Sequence, residues 1–140
     1  MTIDWNSVLL WVLVGALVVV AALLFWVARR NRRMSGEHVF RASRLSRGNH
    51  LFPTQVAISP TDVVQYQPHW FGTREHTIHM AHIASVDIDT HLFLSNVVIE
   101  TSGGSDPVRC HGHYKADAVE MKRLINQYQS DYYKGGGRPS

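Results

Sequence analysis

The residues best suited to chemistry in this 140-residue chain are its nine histidines. Imidazole titrates near neutral pH and is the commonest metal ligand. His76, His79 and His82 are spaced by three, and His111 and His113 by two. Residues three apart on a strand point to opposite faces, so His76 and His79 do not readily share a metal. His111 and His113 share a face in a regular strand, and Cys110 between Arg109 and His111 points away from them. Zinc needs three or four converging ligands. The best available geometry sets His79 beside His111 and His113 across neighbouring strands. The alternative reading, solvated or hydrogen-bonded histidines, is preferred, and neither a metal nor another cofactor is expected.

Other reactive side chains give less. Cys110 has no adjacent base and reads as a buried structural thiol. As the sole cysteine it also rules out a disulfide framework. Asp87 and Asp89 share a strand face, where a solvated surface is the ordinary explanation. The stretch SGGS at residues 102–105 precedes a strand and lacks a following G-K-[ST], so it reads as a hairpin turn and not a phosphate loop. No G-x-S-x-G nucleophile elbow is present. The chain is read as a non-enzyme.

The elements around these residues fall into two parts. Residues 8–28 read VLLWVLVGALVVVAALLFWVA, with no charge. As a helix they span roughly 31 Å, close to the hydrocarbon thickness of a bilayer. Trp5, Trp11 and Trp26 sit toward the ends, where indole rings favour the interface. A signal peptide would carry a basic leader and a shorter core, but here MTIDWNS precedes the run and RRNRR follows it. The expectation is a retained single span. Arg29, Arg30, Arg32 and Arg33 mark the cytoplasmic flank and can also meet anionic head groups. The N-terminus then faces out of a bacterial inner membrane, and the rest is cytoplasmic. With no histidine, Asp, Glu or Lys in the run, the span is an anchor and not a pigment ligand or proton relay.

The net charge of +3 is unevenly placed. Residues 29–48 hold seven arginines and one acid, whereas residues 49–128 hold five basic and eight acidic residues. A nucleic-acid-binding domain shows the reverse, so no nucleic-acid partner is expected.

Beyond the connector, short alternating runs predict about six strands: QVAI, DVVQYQ, REHTIHM, IASVDID, SNVVIET and VRCHGHY. Ser59-Pro60-Thr61-Asp62 and Gly103-Gly104 mark turns. VRCHGHY is expected to bury Val108, Cys110, Gly112 and Tyr114. The period then changes. Ala118, Met121, Leu124, Ile125 and Tyr128 form a helical stripe, with Asp117 as cap and Glu120 at the third position of a capping box. The strands are expected to close toward a small barrel or sandwich covered by that helix.

VAISPTDVVQYQPHWFGTREHTIHMAHIASVDID and NVVIETSGGSDPVRCHGHYKADAVEMKRLI resemble the pleckstrin-homology-like (PH-like) domains of small bacterial membrane proteins. The shared elements are a strand ending in an S-P-x-x-V turn, a W-F-G hairpin, an I-x-x-V strand, an I-x-T-x-G-G hairpin and a final helix. The resemblance implies an α+β PH-like fold, with the barrel serving as a protein-docking platform. The expected layout is 1–7 extracytoplasmic, 8–28 transmembrane, 29–48 basic linker, 49–129 PH-like domain and 130–140 flexible tail. Trp70 and Phe71 at a hairpin tip and the tail tyrosines Tyr132 and Tyr133 are the candidate docking residues. The expected function is an anchored, non-catalytic accessory or stabilising subunit of a larger membrane complex; by analogy, an energy-transducing or photosynthetic one. The alternatives are a module that binds anionic lipids and a histidine-based metal sensor or enzyme.

Overall fold

A computed structural model describes residues 4–30 and 36–135. Arg32 and Arg33, with the ends of the chain, lie outside the described residues. Two compact units result, one holding the first helix and the other everything after it.

Helix α1 runs Trp5–Arg30. Its 26 residues are apolar on every side and none is buried. Such a helix finds no core of its own to pack against, and its length and composition suffice to cross a bilayer. Trp5, Trp11 and Trp26 are exposed. Arg29 and Arg30 occupy the last turn, and the Arg30 guanidinium lies 5.5 Å from the Trp26 ring centre.

The second unit is α+β. Strands β1 (His38–Arg41), β2 (Gln55–Ile58), β3 (Asp62–Pro68) and β4 (Thr73–His79) form an antiparallel sheet in that order. A single 3₁₀ turn, Met80–His82, leads into a second antiparallel sheet. That sheet consists of β5 (Ile83–Thr90), β6 (Leu94–Thr101) and β7 (Val108–Tyr114). Helix α2 (Lys115–Lys134) follows. Its stripe of Ala118, Met121, Leu124 and Ile125 is buried with Val56, Ile58, Val63, Ile78, Val86, Val97, Ile99 and Cys110 in one core shared by both sheets.

Several expectations are corrected. The sheets do not close into a barrel. The outer edge of β7 is met by side chains instead of a strand: Gln65 Nε2 donates to the Arg109 carbonyl at 2.8 Å, and Asn49 Nδ2 to the His111 carbonyl at 3.3 Å. Such caps satisfy an edge without pairing it. The linker is not wholly a linker, because His38–Arg41 pairs with Gln55–Ile58 and starts the first sheet. The tail tyrosines are not in a flexible tail, because α2 continues to Lys134 before Gly135 ends it. Asp117 is not the cap of α2: the helix begins at Lys115 after an extended Tyr114, with no side-chain cap. Glu120 instead takes two hydrogen bonds from Arg123, which hold its carboxyl below the usual value.

Candidate docking surface

Antiparallel connection sorts the loops of the domain to its two ends. At one end lie the β1–β2 loop (residues 42–54), the β3–β4 tip (69–72) and the β5–β6 tip (91–93). The register shows this directly: Leu94 at the start of β6 faces Tyr114 at the end of β7, and Ser43 N–H donates to the Gly112 carbonyl at 2.7 Å. Phe52 of the long loop meets Trp70 of the β3–β4 tip edge to face, centres 5.3 Å apart. His38, where β1 begins, pairs with Ile58 at the other end.

This loop end exposes apolar side chains. Phe71 is fully exposed, Leu92 is 94 % and Phe93 86 % exposed, and Leu45, Leu51 and Trp70 are also exposed. Loops are normally polar, and paired apolar residues at their tips contribute nothing to a core. Arg44 and Arg47 sit in the long loop, and residues 42–54, 69–72 and 91–93 contain no acid. An open groove of about 610 Å³ runs beside them, lined by β1, the start of the loop, Tyr114 and Asp117.

The candidate residues are placed as follows. Trp70 and Phe71 are at the loop end, Trp70 held by Phe52 and Phe71 free in solvent. Tyr132 and Tyr133 are not with them. Tyr132 packs edge-on against His79, centres 5.6 Å apart, at the end of β4 remote from Thr73. The proposed metal set is also separated. His79 Nδ1 accepts the Ala81 N–H at 3.2 Å, His111 is exposed, and His113 is buried. Among the described residues no three metal-ligating side chains converge.

His113 is buried because β7 is bulged. Gly112 has φ +76°, a left-handed conformation that suits glycine. Asn96 of β6 lies between a partner pair on each side, Ser95 with His113 and Val97 with Cys110, so it spans two residues of β7. Its Oδ1 accepts the Gly112 N–H at 3.1 Å. The extra residue reverses the alternation, so His113 turns inward and Tyr114 outward, opposite to the expected faces. Burial pushes the His113 imidazole down to about 4 and, on the same strand, the Cys110 thiol up to about 12.

Sequence reasoning missed Leu92 and Phe93. Their signal was an apolar pair in DTHLFLSN, where turn chemistry calls for polar residues. It also missed His113, although a glycine inside a strand pattern marks a bulge.

The residues thus define a class: a two-sheet α+β domain carried behind a helix long enough to cross a membrane. Compared with known proteins, the sequence matches no family model and no curated protein.

Proposed function

We propose that this chain is a non-catalytic single-pass membrane protein whose cytoplasmic, PH-like domain docks on a larger membrane complex as an accessory or stabilising subunit. One observation carries the reading: two hairpin tips at one end of the domain expose Phe71, Leu92 and Phe93, which the fold itself does not use. Exposed aromatic and aliphatic anchors are what the centre of a protein interface buries. Arg44 and Arg47, with no acid in those loops, fit a partner surface that is apolar at its centre and acidic at its rim. Seven strands in sheets of four and three, followed by a helix, support the PH-like assignment. The arginines ending α1 support the cytoplasmic placement in a bacterial inner membrane.

The test is gentle detergent extraction of native membranes, a density gradient and mass spectrometry of the fractions that hold the chain. Co-migration with a large complex at fixed stoichiometry is expected for the natural chain and its loss for the triple variant Phe71→Ser, Leu92→Ser, Phe93→Ser. Migration of the natural chain at the mass of a monomer or dimer would sink the subunit reading.

The acid-free loops also favour a second reading, contact with anionic head groups. It requires the variant to lose binding to vesicles containing phosphatidylglycerol, with no protein partner involved.

A further inference from the structure

The bulge in β7 puts a titratable group where the fold supplies no partner for its charge. His113 has no exposed surface, and neither ring nitrogen has a hydrogen-bond partner. Ser95, opposite it on β6, is equally buried and its Oγ is also unpartnered. A neutral imidazole brings one N–H into this interior, and a protonated one brings two and a charge. The surrounding elements offer no compensating anion. The buried face of α2 is Ala118, Met121, Leu124 and Ile125. The other buried polar side chains are Ser43, Asn49, Gln55, Gln65 and Ser95, so the described interior has no carboxylate. Its other titratable group is Cys110, on the same strand. His111, next but one along β7, acts on His113 to disfavour its charge. Asp117, the nearest carboxylate along the chain, stands half-exposed on the first turn of α2.

The same short stretch holds the long loop of the docking surface. Ser43 N–H bonds the Gly112 carbonyl at 2.7 Å, Asn49 Nδ2 the His111 carbonyl at 3.3 Å, and Ser43 Oγ the Tyr114 hydroxyl at 3.4 Å. Asn49 Oδ1 in turn accepts the Thr54 N–H at 2.9 Å, closing the loop on itself. Release of the end of β7 therefore removes the bonds that tie Ser43 and Asn49 of the loop to that strand, while Phe52 keeps its contact with Trp70.

We propose that His113 is an acid-sensing residue whose protonation releases the end of β7, and with it the loop of residues 42–54, so that acid opens the docking surface. The opening stands on the geometry of the domain alone; its effect on a partner rests on the docking reading above.

The sign follows from the two states. In the opened state His113 is solvated and titrates near its ordinary value of 6.5, and in the closed state near 4. The opened state binds the extra proton between those values. Closure is therefore at full strength above pH 6.5 and weakens as pH falls from 6.5 toward 4. At pH 5 the opened population should rise about 30-fold over its value at pH 7.5.

The experiment is amide hydrogen exchange on the full chain in detergent micelles at pH 7.5 and pH 5.0, corrected for intrinsic rates. Residues 43–54 and 111–114 should gain about 30-fold in opening at pH 5, and the gain should vanish in His113→Leu. Meanwhile β2 and β3 should hold their protection. A loop with equal protection at both pH values would overturn the proposal, and so would equal loss of protection in every strand. Should His113→Leu not fold, the imidazole titration of the natural chain followed by NMR decides. A value well below 6 is required, and titration near 6.5 in the folded chain refutes the switch. Co-migration with a partner, repeated at both pH values, separates the two ideas. Opening without any partner at either pH removes the docking reading and leaves the switch intact.

Discussion

The two ends of the domain are built from different kinds of residue. At the turn end, Ser59-Pro60-Thr61 and Ser102-Gly103-Gly104 join strands with ordinary turn chemistry. Ser59 N–H donates to the Asp62 carbonyl at 2.9 Å, its Oγ accepts the Asp62 N–H at 3.0 Å, and Gly104 adopts φ +74°. Every feature of those two turns serves the chain reversal. At the loop end the reversals are made as tightly, with His69 N–H bonding the Gly72 carbonyl and His91 N–H the Leu94 carbonyl. Yet the residues between are Trp70-Phe71 and Leu92-Phe93. Chain reversal does not need them, and water disfavours them. The difference separates residues kept for folding from residues kept for contact, and substitutions at the two ends should separate the same way.

The largest expected effect falls on the strut that joins the two roles. A Cβ at Gly112 would collide with Ser46 Cβ and Oγ, and the positive φ is strained for any other residue. Gly112→Ala should cost about 3 kcal/mol and lower the melting temperature by about 15 °C. Calorimetry of the full chain checks it. Gly48, also at positive φ but with open space around its Cβ position, sets the contrast. Gly48→Ala should cost only the backbone strain, about 1 kcal/mol.

That strut also marks where the sequence stops being legible. The apolar alternation of β2, β5 and β6 was readable because one face is buried: Val56 and Ile58, Val86, Val97 and Ile99 all lie in the core. The stripe of α2 was readable for the same reason, at a different period. β1 was not readable, because HVFR is four residues of intermediate burial lying within a basic stretch. Its strand character comes from pairing with β2 and not from its own pattern. In β7, one glycine reversed the faces of His113 and Tyr114, and no local pattern announces which partner residue takes up a bulge. Trp70 and Phe71 were legible as a hairpin tip, but their exposure was not, since apolar residues at a tip are equally consistent with burial. The extension of α2 through SDYYK follows from Tyr132 packing on His79, a contact between residues 53 positions apart.

Two intermediate effects sharpen the comparison. Trp70 is half held by the fold through its edge-on contact with Phe52, so Trp70→Ala should cost about 1.5 kcal/mol as well as weaken docking. Ser59→Ala removes the hydroxyl that bonds both backbone groups of Asp62. It should cost about 1 kcal/mol and leave co-migration with a partner unchanged. Urea unfolding reads both, with the slope expected to stay constant. A docking defect in Ser59→Ala would mean that the turn end also touches the partner, and the division between the ends would fail.

The smallest effect on folding should come from the residue with the largest effect on contact. Phe71 is fully exposed, so replacing it takes no apolar surface out of the core and opens no cavity. Phe71→Ser should change the stability of the isolated chain by less than about 0.5 kcal/mol. In a complex, the same ring at the centre of an interface is worth about 2 kcal/mol or more, roughly a 30-fold loss of affinity. The signature is thus a normal melting temperature with the chain lost from the heavy gradient fractions. A substantial fall in melting temperature would show that Phe71 packs within the chain, and its exposure would no longer be evidence for a partner. A normal melting temperature with co-migration intact would move the contact to Leu92 and Phe93, which the single substitutions Leu92→Ser and Phe93→Ser resolve in the same assay.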